Sequence, residues 1–154
     1  MTNNYFKEMI RLADSIADQA HSGQTDKIGR PYITHPRRVA FAVRKLAPEN
    51  MRVEAQIVAL LHDTVEDTGV TLDYLARYFS VSIVDAVDAL TKRKGETLEQ
   101  SIARVRANEL ARLVKHADIA DNTDPERTTL LDEETRERLA KKYAKSLTLL
   151  SLGE

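Results

Sequence analysis

The sequence predicts an all-α, single-domain bundle of six or seven helices. Apolar residues recur at i, i+3, i+4 and i+7 almost throughout, and no segment of useful length alternates with period two. Only 5 glycines and 4 prolines occur, too few for the many tight turns of a sandwich or barrel. The 154 residues fit one domain spanning 1–154, long enough to bury a sizeable core.

The first helix is expected over 4–20, with Phe6, Met9, Ile10, Ala13, Ile16, Ala17 and Ala20 on one side and Gly23 as its stop. Residues 24–35 read as a loop, and Pro36 suits the first turn of a helix to Leu46. A third helix is expected over 51–66. Thr71 and Ser82 are placed as N-caps for short helices over 72–79 and 83–91. The stretch 92–96, around Gly95, reads as a loop. Thr97 with Gln100 has capping-box spacing and opens a long helix to Ala120. Asp124-Pro125 breaks the chain, and Asp132 caps a last helix to Leu150. That helix carries Leu139, Tyr143, Leu147 and Leu150 at helical spacing; it can close the bundle or form a dimer face, closure being the expected use. The oligomeric state is not fixed by the sequence.

Charge and composition narrow the function. A net charge of −1 gives no polyelectrolyte attraction, so nucleic acid is not an expected partner, while a small anion in a local basic pocket is compatible. Cysteine is absent, which excludes disulfides and thiolate metal sites. The N-terminus is amphipathic rather than signal-like, and the longest apolar run, Ile57–Leu61, cannot span a bilayer. A cytoplasmic protein without a membrane partner is expected.

Polar residues cluster at two helix ends. On a continuous third helix, His62, Asp63, Glu66 and Asp67 would share an arc of about 140°, opposite Ile57, Val58, Leu61 and Val65. Three carboxylates beside a histidine repel unless a cation or solvent relieves them. Asp118 and Asn122 are i, i+4 neighbours near the end of another helix, with Asp121 on the same side. Solvated helix termini are the alternative reading of both clusters. His35 directly precedes Pro36. Two histidines and two aspartates from three segments would form a mixed nitrogen and oxygen site, suited to Mn²⁺, Fe²⁺, Co²⁺ or Zn²⁺ rather than Ca²⁺ or Mg²⁺.

Four stretches, AHSGQTDKIGRPYITHPRRVA (20–40), VALLHDTVEDT (58–68), ALTKRKGE (89–96) and VKHADIADN (114–122), resemble the RelA/SpoT-type HD hydrolases, and among them the stand-alone small alarmone hydrolases. The resemblance implies an HD-type bundle in which His35, His62, Asp63 and Asp118 hold one divalent transition metal, Mn²⁺ in most members. It implies that Glu66 and Asp67 handle the attacking water, that Asn122 contacts the nucleotide and that Lys27 lies near the phosphates. Lys92 and Lys115 could also balance the anionic substrate, solvated side chains being the alternative for all three lysines. The implied reaction removes the 3′-pyrophosphate of (p)ppGpp, giving GDP or GTP and pyrophosphate, with no synthetase region expected alongside.

Three positions depart from the family pattern. Asp26 and Asp124 stand where arginines are usual, and Asp121 replaces a histidine. The arginine usual at 26 packs on guanine, and a carboxylate cannot stack as a planar cation does. An altered base preference follows as an expectation, with (p)ppApp as candidate. Two alternatives use the same residues: another nucleotide phosphohydrolase, of 5′-nucleotidase or NADPH 2′-phosphatase type, or a catalytically silent nucleotide-binding HD module. His21 reads as loop-orienting, and His116 as a partly buried histidine without a role.

Overall fold

The computed structural model describes residues 2–154, and helices carry nearly all of its regular structure. They are α1 (Thr2–Ala20), α2 (Thr34–Leu46), α3 (Arg52–Leu61), α4 (Thr64–Asp67), α5 (Leu72–Ala76), α6 (Val81–Leu90), α7 (Leu98–Arg106), α8 (Glu109–Asn122), α9 (Pro125–Thr128) and α10 (Glu133–Leu150). A 3₁₀ turn, Glu49–Met51, leads into α3. The extended backbone pairing is a single bridge between Thr25 and Pro31, among the described residues.

The all-α expectation holds, but two expected helices are each divided. The segment over 51–66 bends at His62-Asp63, where the Thr64 hydroxyl donates to the Leu61 carbonyl at 2.8 Å and competes with the helical ladder. Glu66 therefore lies on its own short turn, not one turn along a continuous helix from His62. The segment expected over 97–120 stops at Arg106 and restarts after Asn108, whose side chain accepts from the Ala111 amide at 2.9 Å. The additional turn α9 is capped by Asp124, which accepts from the Glu126 amide at 3.0 Å.

Other boundaries follow local chemistry. Thr71 caps α5, the Thr97–Gln100 capping box opens α7, and Asp132 caps α10. Ser82 is not the cap of α6: the helix begins at Val81 after Ser80, and the Ser82 hydroxyl instead donates to Glu54 at 3.0 Å. Helix α2 starts two residues before Pro36, so His35 sits within its first turn rather than at the end of the loop. Gly23 and Gly29 both take positive φ in the 21–33 loop, a conformation that other residues adopt with strain.

The core gathers around α3, which packs on α1, α2, α6 and α8. Val58 and Leu61 from α3 meet Val39 and Val43 from α2, Val87 from α6 and Val114 from α8, all fully buried. Each such side chain contributes about 1.5–3 kcal/mol relative to exposure. Phe6, expected on the buried side of α1, is 41% exposed, whereas Ala13, Ile16 and Ala17 are buried. Helix α10 closes the bundle against α7 and α8, with Leu139, Ser146 and Leu150 buried and Leu147 facing outward. None of the described helices is long and apolar enough to cross a membrane.

The Asn108 cap gives the divided helix a test. Asn108→Ala is expected to lower unfolding stability by about 1 kcal/mol, read as a shift in the urea midpoint. An unchanged midpoint would mean that the break is held by packing alone.

Candidate metal centre and active site

Helices α2, α3 and α8 bring His35, His62 and Asp118 to one point, where a donor atom from each lies within 4.8 Å of the others. Asp118 Oδ1 is 2.9 Å from His35 Nε2 and 3.4 Å from His62 Nε2. Asp63 joins them, its Oδ2 lying 3.1 Å from His62 Nε2 and 3.9 Å from His35 Nε2. His35, His62 and Asp118 are all buried. A cation accepted here would meet two imidazoles and two carboxylates.

Hydrogen bonds outside the cluster fix how each histidine faces it. His62 Nδ1 lies 2.6 Å from the Ala59 carbonyl, which can only accept, so Nδ1 carries a proton and Nε2 is the nitrogen that faces inward. That Nε2 is buried and finds no hydrogen-bond partner among the described residues. An inward-facing nitrogen that the protein leaves unpaired can take a metal when it gives up its proton. The donor set therefore fits a divalent transition metal.

Charge tells the same story. Burial pushes the His62 imidazole down, but Asp63 and Asp118 outweigh it and hold it well above the ordinary imidazole value. His35 is likewise raised against burial, by hydrogen bonds to Asp118 and Asp121. Asp118 resists burial and stays well below the carboxylate range through Lys115, His35 and His62. The centre demands positive charge, which protons or a metal can supply.

The ten residues singled out from sequence, the four above with Glu66, Asp67, Lys27, Lys92, Lys115 and Asn122, all line one cavity of about 580 Å³. That volume falls in the range of nucleotide-sized ligand pockets. Glu66 Oε1 accepts from the Lys92 backbone amide at 2.7 Å, which ties the α4 turn to the loop after α6. Burial, with Asp63 and Glu66 nearby, raises the Asp67 carboxyl above its usual range. Lys115 and Asn122, besides lining the cavity, both reach Asp118. Lys115 Nζ donates to Asp118 Oδ2 at 3.1 Å, and Asn122 Nδ2 to Asp118 Oδ1 at 3.1 Å, so both brace that carboxylate from positions one turn away.

Four residues without an assigned role from sequence belong to the site. The Tyr32 hydroxyl donates to Asp63 Oδ2, and its ring packs between His21 and His35. Tyrosine inside PYITH was the available signal. Arg38, three residues after His35, and Arg127 of α9 both line the cavity and pair with Asp121. Lys142 of α10 also lines it; burial, then Lys115, Lys92 and Lys27, hold its ammonium below the usual lysine range, so four lysines converge on the rim. His21, read as loop-orienting, is buried with Nδ1 2.9 Å from Gln24 Oε1, and half-buried His116 meets Glu154 at 2.9 Å.

The aspartates expected to reverse charge on the base side separate. Asp26 lines the cavity but its Oδ1 accepts from the Ile28 and Arg30 amides, at 3.0 and 2.9 Å, closing the loop. Asp121 and Asp124 do not line it. Asp121 turns to His35, and Asp124 caps α9 with its Oδ2 3.7 Å from Arg127.

A family model described as an HD domain matches residues 13–113. The guanosine-3′,5′-bis(diphosphate) 3′-pyrophosphohydrolase of Aquifex aeolicus is 33% identical over 142 residues, 87% of this chain and 20% of that protein. A probable GTP pyrophosphokinase of Mycobacterium leprae is 36% identical over 123 residues, 74% of this chain and 15% of that protein. The chain thus spans a fifth or less of the length of these relatives. A solved structure described as a metazoan ortholog of SpoT that hydrolyzes ppGpp shares the fold, with a TM-score of 0.76 and 22% identity, covering 93% of this chain and 85% of that one.

Two outcomes follow from the geometry. A metal must displace protons from His35 and His62, whose values are raised, so Mn²⁺ affinity is expected to keep climbing as pH rises above the ordinary imidazole value of about 6.5. Calorimetric titration checks this, and a flat profile would contradict it. Tyr32→Phe removes the hydroxyl that steadies Asp63 and is expected to weaken Mn²⁺ binding about tenfold with little change in melting temperature; unaltered affinity would exclude that role.

Proposed function

The chain belongs to the HD domain family, and on that premise we propose that it hydrolyses the 3′-pyrophosphate of a (p)ppNpp alarmone, giving a nucleoside di- or triphosphate and pyrophosphate. The observation that carries this reading is the buried His35–His62–Asp118 group, with Asp63 beside it, opening on a cavity rimmed by four lysines. The relative from Aquifex aeolicus, named for this reaction on (p)ppGpp, supports it. Residues 1–154 act as one HD phosphohydrolase unit in this reading.

His35, His62, Asp63 and Asp118 would hold one divalent transition metal, Mn²⁺ being the ion that the family resemblance implies. When bound it supplies Lewis acidity toward phosphate oxygens and makes water more acidic. Glu66, anchored by the Lys92 amide, takes the proton of the attacking water, and Asp67 orients that water. The water oxygen bonds to the phosphorus nearest the ribose, and the 3′-oxygen leaves and gains a proton. Lys27, Lys92 and Lys142 counter the phosphate charge, Lys115 does so through Asp118, and Asn122 holds Asp118 at the nucleotide side.

Asp26 favours a second reading of the substrate. It takes a cavity position at which an arginine would stack on guanine, and its carboxylate is spent on the loop amides. (p)ppApp is therefore proposed as a substrate alongside or in place of (p)ppGpp.

Pyrophosphate release from ppGpp and ppApp, side by side with Mn²⁺, tests both statements. Turnover is expected to stop with EDTA and with Asp63→Ala, and to fall by about 10²–10⁴ with Glu66→Gln. Orthophosphate as the released product would move the reaction to another phosphoester, and a strong preference for ppGpp would sink the adenine reading.

A further inference from the structure

Both nitrogens of His35 face carboxylates, and only one of those carboxylates belongs to the cluster. Nε2 points to Asp118, while Nδ1 lies 2.6 Å from Asp121 Oδ2. Asp121 does not line the cavity, and nothing in the reaction above uses it. We propose that Asp121 is a positioning residue for the metal centre: it accepts the Nδ1–H of His35, fixes that tautomer and turns the Nε2 lone pair toward His62 and Asp118. The inference rests on reading His35 as a metal ligand.

An ionised carboxylate can only accept, so His35 Nδ1 carries a proton toward Asp121, and Nε2, facing Asp118, is the nitrogen at which a metal would take the place of a proton. Two arginines pair with Asp121. Its Oδ1 takes Arg38 Nε at 2.9 Å, and its Oδ2 lies 3.2 Å from both Arg38 Nη2 and Arg127 Nη2. With its side chain 10% exposed, it is shielded from water that could replace these partners.

The placement is periodic. Asp118 and Asp121 are one turn apart on α8, and His35 and Arg38 are one turn apart on α2. Two i, i+3 pairs face each other across the α2–α8 contact, so a ligand and the group that orients its neighbour come from the same helix. His62 differs, because its Nδ1 is held by a backbone carbonyl that substitution cannot remove.

Asp121→Asn is the informative variant. The two arginines would draw the amide oxygen, leaving the amide NH₂ against His35 Nδ1 and forcing the ring proton onto Nε2. Calorimetric titration of the full chain with Mn²⁺ is expected to show affinity about 10–100-fold weaker than wild type, with little change in melting temperature. In a His35→Ala background the same substitution is expected to cost nothing further. Affinity within about threefold of wild type, or an undiminished loss in the His35→Ala background, would overturn the proposal. Asp121→Ala repeats the measurement if the asparagine variant does not fold. Failure of the wild type to take up Mn²⁺ would overturn the metal reading beneath it, and so is distinguishable.

Discussion

A buried and a partly buried aspartate beside two histidines set the terms for the rest of this molecule. Asp63 and Asp118 cannot both stay ionised this close together without positive charge between them. The imidazoles, Lys115 and the Tyr32 hydroxyl each meet part of that demand. The inward-facing Nε2 of His62, without a hydrogen-bond partner among the described residues, is where a cation could meet the remainder.

The scaffold serves this arrangement through small departures from ideal helices. The bend at His62-Asp63 lets consecutive residues both reach the centre, whereas on an unbroken helix they would diverge by about 100°. The break at Asn108 frees α8 from the direction of α7, so that α8 lies along α2 and α3 with Asp118 toward them. Early placement of His35 in α2 gives it the stiffness of a helix rather than a loop. Around these points the aliphatic core is densely shared among α2, α3, α6 and α8, and holds donor positions within narrow limits.

Acid and base share one cavity. Asp63 and Asp118 lie at the metal cluster, Lys27, Lys92, Lys115 and Lys142 line the same cavity, and Arg38 and Arg127 pair with Asp121 beside His35. This combination suits a substrate with a reactive phosphate end and further negative charge, in a chain whose net charge of −1 would not attract polyanions as a whole. Aspartates that look alike in sequence take three different tasks. Asp26 closes a loop, Asp121 faces a histidine and Asp124 caps a helix.

Helical class, most boundaries and the caps at Thr71, Thr97 and Asp132 were legible in the residue order, because each rests on side chains three or four positions apart. The ten candidate site residues were legible too, from four motifs taken together, and they line one cavity. The bends at 62–63 and 107–108 were not, since apolar periodicity continues through both and a single hydroxyl or amide side chain redirects the backbone. The roles of Tyr32, Asp121 and Lys142 lay beyond sequence for a different reason. Tyr32 meets Asp63 across 31 residues and Asp121 meets His35 across 86, distances over which local pattern carries no information and only the packing of α2 on α3 and α8 brings donor to acceptor.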